Sequence, residues 1–221
     1  MDNLSLRKIL ETHGFSKSFD EIINYTVKEG REALVTCFSN SNNEMIFIVK
    51  YGGCDSTRQG TDLPHPKAVD SFGKEADPDS PSFWNNDCNK YLNWHTHPSK
   101  SIDEDLGFSE EDIDSLEDYL VVGREINAAG EITIPVLGTI VIPSDRASRA
   151  NSLLFMPKSI GFSNSYRDVC ENEPPTRGKA LKFLRNYGQA DLIDFKLRDG
   201  IWQPAMKDKK KLENYIFNSQ K

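Results

Sequence analysis

Two of the four histidines in this sequence fall in one short stretch, Trp94-His95-Thr96-His97-Pro98. Side chains on an extended segment repeat their direction every two residues, so His95 and His97 point the same way and Thr96 points away. Both imidazoles can then reach one metal ion. The spacing therefore predicts a metal site at the end of a short strand.

A hydroxyl and a carboxylate follow in Ser109-Glu110-Glu111-Asp112. A carboxylate is a suitable third ligand, and two His plus one Asp leave the fourth tetrahedral position of Zn²⁺ to water, as in catalytic sites. Water on such a metal attacks near neutral pH, provided that a general base takes its proton and a donor such as a Ser hydroxyl stabilises the oxyanion. Ser109 and Asp112 also match a helix N-cap, and a cap would fix both side chains where the site needs them.

The remaining candidate ligands are less suggestive. Without a C-x-x-C pair, the cysteines are expected to be free and apolar rather than zinc ligands or disulfides: Cys37, Cys54, Cys88 and Cys170. His13 and His65 are expected on the surface or in loops.

The elements that must position the histidines read as alternating helices and strands. The pattern predicts a helix over Phe19–Gly30, a hairpin of Ala33–Phe38 and Met45–Tyr51 turning at Asn40–Asn43, a short strand over Tyr91–Trp94, and a helix from Ser109 to about Ile126. In that last helix one apolar face is expected: Ile113, Leu116, Leu120 and Val121. The order of the elements places the histidine strand between the hairpin and this helix.

The rest of the chain is less regular. Gly52–Lys90 is too long for a plain connector and is expected either to be a functional loop or to carry small elements of its own. Ile132–Ile142 reads as a strand pair or one bent strand, Lys179–Tyr187 as a helix, and Asp194–Trp202 as a small hairpin turning at Asp199-Gly200. The basic end, Lys207 to Lys211, is expected to be a solvated face.

The motif resembles that of a known family. His-x-His followed by Ser-x-x-Asp, with a Glu upstream, is similar to the JAMM motif of the JAB/MPN zinc metalloproteases, and Tyr91–Pro98 resembles the Y-x-G-x-W-H-T-H-P run of the prokaryotic JAB-like subgroup. The resemblance covers about residues 19–145. It implies an α/β fold of JAB/MPN type (cytidine-deaminase-like), a mixed β-sheet flanked by helices, over residues 1–150, with an insertion at 52–90 and a C-terminal extension at 151–221.

The resemblance also assigns roles. It implies Zn²⁺ held by His95, His97 and Asp112, with Ser109 stabilising the tetrahedral intermediate. The family's catalytic Glu sits between the first helix and the first strand, which here is Glu32. Glu44 and then Glu29 are the alternatives.

The sequence departs from the family's pattern in two places. Eleven residues separate His97 from Ser109, where the family has about seven, and Asn93 replaces a glycine. A second Ser-x-x-Asp, Ser115 to Asp118, is set aside because it lies further from His97 and inside the helix.

Composition narrows the function classes. The 221 residues carry a formal net charge of −7 and are 37% hydrophobic, which disfavours general nucleic-acid binding and predicts a folded core. No apolar run is long enough for a membrane span and no signal peptide is apparent, so a cytoplasmic protein is expected.

The acidity is local: residues 101–118 hold nine acids and no Lys or Arg, and the rest of the chain has 27 basic against 25 acidic residues. That local negative charge surrounds the expected metal ligand and could favour a basic substrate surface.

The resemblance implies a zinc-dependent isopeptidase or peptidase that cleaves after the C-terminal tail of a ubiquitin-like protein or a similar conjugate, as in a bacterial or antiviral-defence conjugation system. Part of Gly52–Lys90 would then contact that tail. The alternative is a catalytically silent MPN-like scaffold that binds a protein partner. A His-x-His phosphoesterase is disfavoured because such enzymes need several further histidines.

Overall fold

A computed structural model describes most of the chain. The described residues are 4–39, 44–52, 64–77, 89–98, 106–123, 128, 137–143 and 148–217. All statements about structure below concern these ranges.

Within the described ranges, nine strands form one mixed sheet in the order β10-β9-β8-β7-β6-β2-β3-β4-β5, and two short strands, β1 and β11, pair separately. Neighbouring strands are antiparallel except β6 and β7, which are parallel. The strand bounds are β1 Leu4–Ser5, β2 Ala33–Ser39, β3 Met45–Tyr51, β4 Lys67–Asp70, β5 Glu75–Ala76, β6 Asn89–Thr96, β7 Leu137–Pro143, β8 Arg149–Pro157, β9 Gly188–Arg198, β10 Ile201–Pro204 and β11 Ile216–Phe217.

Helices cover both faces of this sheet. The described helices are α1 Leu6–Leu10, α2 His13–Glu29, α3 Glu110–Gly123, α4 Ser163–Cys170, α5 Arg177–Leu184 and α6 Lys209–Leu212, with a 3₁₀ turn at Met206–Asp208. The helices α1 and α2 pack on one face with α6, and α3, α4 and α5 pack on the other. The mixed sheet flanked by helices that the sequence predicts is therefore confirmed at this level.

The helix α2 begins earlier than predicted and ends where predicted. Thr12 caps its start by accepting a hydrogen bond from the Phe15 amide at 3.2 Å, and Gly30 ends it in the left-handed conformation (φ 62°). The hairpin strands are confirmed, Met45–Tyr51 without change. The predicted turn at 40–43 lies outside the described residues.

Of the two alternatives predicted for the 52–90 segment, the structure has small elements of secondary structure: β4, β5 and the start of β6 lie within it. Residues 53–63 and 78–88 lie outside the described ranges, as do 132–136 of the predicted 132–142 strand. The Asp199-Gly200 turn is confirmed, with φ of 51° and 75°, which is the conformation of a tight type I′ hairpin.

One prediction needs correction, and several elements were not predicted. Val121 does not belong to the apolar face of α3, because its side chain is 52% exposed while Ile113 and Leu120 are fully buried. The sequence also missed the helix α4 and the full extent of β8 and β9. These strands join the same sheet, and β8 runs across the predicted boundary at residue 150, so the sheet does not end there.

The core explains the tryptophan before the histidines. Trp94 is fully buried and its ring lies 5.1 Å from Phe15, 5.8 Å from Phe19 and 5.8 Å from Phe195, measured between centroids. Its indole N–H donates to Ser152 Oγ at 3.1 Å. Strand β6 is thereby fixed to α2, β8 and β9 one residue before the proposed ligands begin.

Candidate metal centre

Alternate side chains of strand β6 lie on opposite faces of the sheet, so the histidines and the neighbouring core residues are on different faces. Leu92 and Trp94 belong to the core under α2, and Thr96 is also buried there against Thr26 and Ala33. The alternation of a strand turns His95 to the opposite face, on which α3 packs. His97 follows two residues later, just past the end of β6.

Three side chains converge on that face. The His95 Nε2 lies 3.1 Å from His97 Nε2 and 3.0 Å from Asp112 Oδ1, and His97 Nε2 lies 3.2 Å from Asp112 Oδ2. Each can offer one ligand atom to a common point. His95 is 6% exposed, and His97 and Asp112 are half-buried, so the group sits just below the surface.

This arrangement fits a metal ion. Ligand atoms about 2.0 to 2.1 Å from a tetrahedral zinc stand about 3.4 Å apart, close to the separations found here. Two imidazole nitrogens and a carboxylate also form a donor set that divalent transition metals accept. His95, His97 and Asp112 could therefore hold a metal ion, and they leave room in the coordination shell for a further ligand.

The carboxylate is placed by the start of α3. The Ser109 backbone N–H donates to Asp112 Oδ2 at 2.7 Å, and the Asp112 N–H donates to Ser109 Oγ at 3.1 Å. This reciprocal pair is a capping box, so the cap interpretation and the site interpretation hold together. The local sequence sets the distance between the Ser109 hydroxyl and the Asp112 carboxylate.

The electrostatics of the group are dominated by the histidines. Burial alone would raise the pKa of the Asp112 carboxyl, but His95 and then His97, by charge and by hydrogen bonding, hold that pKa well below its usual range. Asp112 is thus ionised at neutral pH, as a metal ligand must be.

The segment before Ser109 is held by parts of the chain that carry no recognisable motif. Tyr166 of α4 donates its hydroxyl proton to the Phe108 carbonyl at 2.9 Å, and the Gly107 N–H donates to the Pro175 carbonyl at 2.6 Å. Leu106 also bridges to Thr176, just before α5. Residues 163–184 therefore position Ser109 from outside the span of the family resemblance, and no motif or spacing in these residues indicates this contact.

Thr96 joins the histidine strand to the start of β2. The sequence predicts only that its side chain points away from the histidines. Its Oγ1 accepts from the Ala33 N–H at 2.9 Å, lies 3.2 Å from the Ala33 carbonyl and shares a hydrogen bond with Thr26 Oγ1. The register between β2 and β6 stops at Leu34 opposite His95. The Thr96 hydroxyl continues the connection by one residue.

The register between β2 and β6 also bears on Glu32. Leu34 lies opposite His95, and Glu32 lies two residues earlier on the same side of the backbone. The Glu32 carbonyl still accepts a hydrogen bond from the Gly52 N–H at 2.9 Å, which continues the pairing of β2 with β3. Continued by two residues, the register sets Glu32 opposite His97. The side chain is half-buried.

The two alternatives to Glu32 lie elsewhere. Glu44 is exposed and precedes β3, at the opposite end of the hairpin, about 26 Å along the strand from Gly52. Glu29 ends α2, which packs on the other face of the sheet, and its carboxylate pairs with the neighbouring Lys28 at 3.0 Å. The second Ser-x-x-Asp also points outward, since Ser115 and Asp118 are both exposed.

The remaining candidate ligands stay apart from this group. Cys37 and Cys170 are free and buried, as predicted, while Cys54 and Cys88 lie outside the described ranges. Burial raises the pKa of the Cys170 thiol to about 11, which keeps it protonated. His13 and His65 are exposed, as predicted.

Comparison with protein-family models, with curated proteins and with solved structures found no match for this chain. Among the helices of the described segments, none combines the length and the apolar character that crossing a membrane requires. What the described residues establish is a mixed α/β fold with a His95, His97 and Asp112 group that could bind a metal ion.

Proposed function

We propose that this protein is a zinc-dependent hydrolase that cleaves a peptide or isopeptide bond, after the C-terminal tail of a ubiquitin-like protein or a similar conjugate. The observation that carries the proposal is the convergence of His95, His97 and Asp112 within 3.0 to 3.2 Å of one another. The resemblance of the motif to the JAMM pattern supplies the reaction class.

In this proposal His95, His97 and Asp112 hold the zinc ion. When bound, zinc supplies Lewis acidity toward a water molecule and the scissile carbonyl. The rest of the chemistry belongs to the chain: Glu32 takes a proton from the attacking water and returns it to the leaving amine, a role for which a half-buried carboxylate opposite His97 is suited.

Ser109 is the proposed oxyanion donor. Its Oγ accepts the Asp112 N–H, which uses a lone pair and leaves the hydroxyl proton able to donate to the oxyanion. The capping box fixes the direction of that hydroxyl before substrate arrives. This preorganisation is what makes such a donor effective.

The first test is metal content and its dependence on the ligands. The zinc content of the purified chain is measured by mass spectrometry, for wild type and for His95→Ala and His13→Ala. We expect about one zinc per chain, lost in His95→Ala and retained in His13→Ala, because His13 lies outside the group. A wild-type chain with no affinity for zinc would favour the scaffold alternative.

The second test is cleavage of a ubiquitin-like domain that carries a fluorogenic amide at its C-terminus. We expect Glu32→Gln to retain zinc and to lower kcat by about 10² to 10⁴, the usual contribution of a general base. Glu29→Gln and Glu44→Gln are the matched controls and should leave kcat unchanged. Activity that survives His95→Ala would refute the mechanism.

A further inference from the structure

A row of cationic side chains lies on the same sheet face as the histidines. Arg149 of β8 stands opposite Lys196 of β9, and Arg198 follows Lys196 by two residues, so all three side chains project to one side. Leu192 of β9 shares that side and packs in the core under α4 and α5, which identifies it as the face of α3, α4 and α5. We name Arg149, Lys196 and Arg198 the cationic sheet face.

The helices that cover this side of the sheet stop short of these residues. Along β8, Leu153 and Phe155 are fully buried in the core under α4 and α5, whereas Asn151 and Arg149, on the same side, are exposed. Arg198 is exposed too, and Lys196 is half-buried. Asn151 still accepts a hydrogen bond from Arg177 Nη1, at the start of α5, at 3.2 Å, and the sheet surface is open beyond it, from Arg149 outward.

The open surface adjoins the proposed metal site. His95 is opposite Ile140 of β7, which is opposite Leu153 of β8. His97 and Asn151 each lie two residues further toward the same sheet edge. Strand β8 is therefore two strand spacings, about 10 Å, from the histidine strand. Arg149 lies two residues beyond Asn151 along β8, in the same direction.

The charges on this surface are poorly balanced. Arg149 and Lys196 stand directly opposite each other on neighbouring strands, and like charges in that arrangement are destabilising. Within the described ranges, none of Arg149, Lys196 and Arg198 makes an ion pair. Asp194 is the acid among them, and it is occupied by Lys207 Nζ at 2.6 Å and by the amide of Asn151. An anionic ligand would relieve this repulsion.

We infer that the cationic sheet face binds an extended, acidic peptide segment of the protein substrate. Side chains two apart on an extended peptide are about 7 Å apart, which matches the spacing of Lys196 and Arg198 along β9. Binding there would bring the segment alongside the metal site. The inference rests on the proposed function only for the statement that the bound segment belongs to the substrate.

A peptide fits this surface better than a nucleic acid does. Single-stranded nucleic acid is held by aromatic side chains on which its bases stack, and the described residues of this surface offer none, its uncharged members being Asn151, Ile201 and Gln203. The first turn of α3, with Glu110, Glu111 and Asp112, would also repel a continuous polyanion near the site. A short acidic segment avoids that contact.

Binding is tested by fluorescence anisotropy with the full zinc-loaded chain at low salt. The probes are a labelled peptide of alternating Glu and Ser, the same peptide with Gln for Glu, and a single-stranded oligonucleotide. The test variant is Arg149→Glu with Lys196→Glu. The matched control, Lys158→Glu with Lys182→Glu, makes the same change in net charge at two exposed positions outside this surface.

We expect the wild type to prefer the Glu peptide over the Gln peptide, the test variant to lose at least about ten-fold in affinity, and the control to change by less than about two-fold. Equal binding of both peptides, no binding, or equal loss in both variants would overturn the inference. Tighter binding of the oligonucleotide, lost in the test variant, would overturn it in favour of nucleic acid. Binding is read without turnover, and zinc content is measured in parallel, so failure of the proposed hydrolase is seen separately.

Discussion

Thr96 lies between the two proposed histidine ligands, and its buried hydroxyl joins their strand to the residue that follows Glu32. It contacts Ala33, the residue after Glu32, and Thr26 of α2. Ala33 and Thr96 are 63 residues apart in the chain, and in the described residues this hydroxyl is the side-chain contact that joins the segment of the proposed base to the histidine strand. A hydrogen-bonded side chain thus extends the β2–β6 register, which ends at Leu34 and His95, by one residue toward Glu32 and His97.

We expect Thr96→Val to lower the free energy of unfolding by about 1 to 3 kcal/mol, because the valine fills the same space and leaves the buried Ala33 N–H without an acceptor. If Thr96 positions Glu32, kcat falls as well while zinc content is retained. Denaturant unfolding, zinc analysis and the cleavage assay measure these three effects. Thr96→Ser keeps the hydroxyl and should restore kcat; a serine variant as impaired as the valine variant would contradict this role.

At the scale of elements, α2 is tied to the hairpin by a small polar cluster at its exposed side. Glu21 accepts from Tyr51 Oη and from Lys67 Nζ, each at 2.7 Å. Burial alone would raise the pKa of Glu21, but the hydrogen bonds from Lys67 and Tyr51 outweigh it and lower that pKa below 4.5. Burial, and then the hydrogen bond to Glu21 and its charge, raise the pKa of Tyr51.

This gives a pH dependence of stability with a definite sign. A carboxyl whose pKa is lower in the folded state stabilises the fold above its unfolded pKa and loses that contribution as the pH falls through the folded value. We expect Glu21→Gln to lower the melting temperature at pH 6 to 7, by an amount worth less than about 1 kcal/mol because Glu21 and Lys67 are more than a third exposed.

The difference between wild type and Glu21→Gln should shrink as the pH falls below about 4.5, the ordinary pKa of the carboxyl. Thermal unfolding from pH 7 to pH 3 measures it. A difference that grows toward low pH would contradict the assignment.

At the scale of the whole molecule, the last third of the chain completes the fold that carries the site. Phe195 and Trp202 pack on Phe19, with ring centroids 5.1 and 5.3 Å away, and Ser152 accepts from Trp94. The 163–184 region also holds the backbone before Ser109. The core and the site therefore depend on residues beyond 150.

We expect a chain truncated after Ala150 not to fold cooperatively, because it loses β9, β10 and nearly all of β8 and exposes Trp94 and Phe19. Near-ultraviolet circular dichroism and thermal unfolding measure this, and a chain ending at Phe217, which keeps every described element, is the control. A sharp unfolding transition in the 150-residue chain would show that residues 1–150 form a domain of their own.

Local chemistry made part of this protein predictable from sequence. The i, i+2 spacing gave His95 and His97 a common direction, the Ser109 to Asp112 spacing gave a capping box, and Gly30 and Asp199-Gly200 gave an end and a turn. These features depend on backbone geometry over at most four residues. Such features are therefore determined by the local sequence, and the structure agrees with them.

Contacts between distant segments were decided only by the tertiary structure. Nothing in the sequence indicates that Tyr166 would hold the Phe108 carbonyl, or that Arg149 and Lys196 would meet on one open face beside the histidines. Such contacts depend on strand order and register, which are set by the packing of the whole core. The sequence determined which atoms could bind a metal, and the fold decided which surface lies beside them.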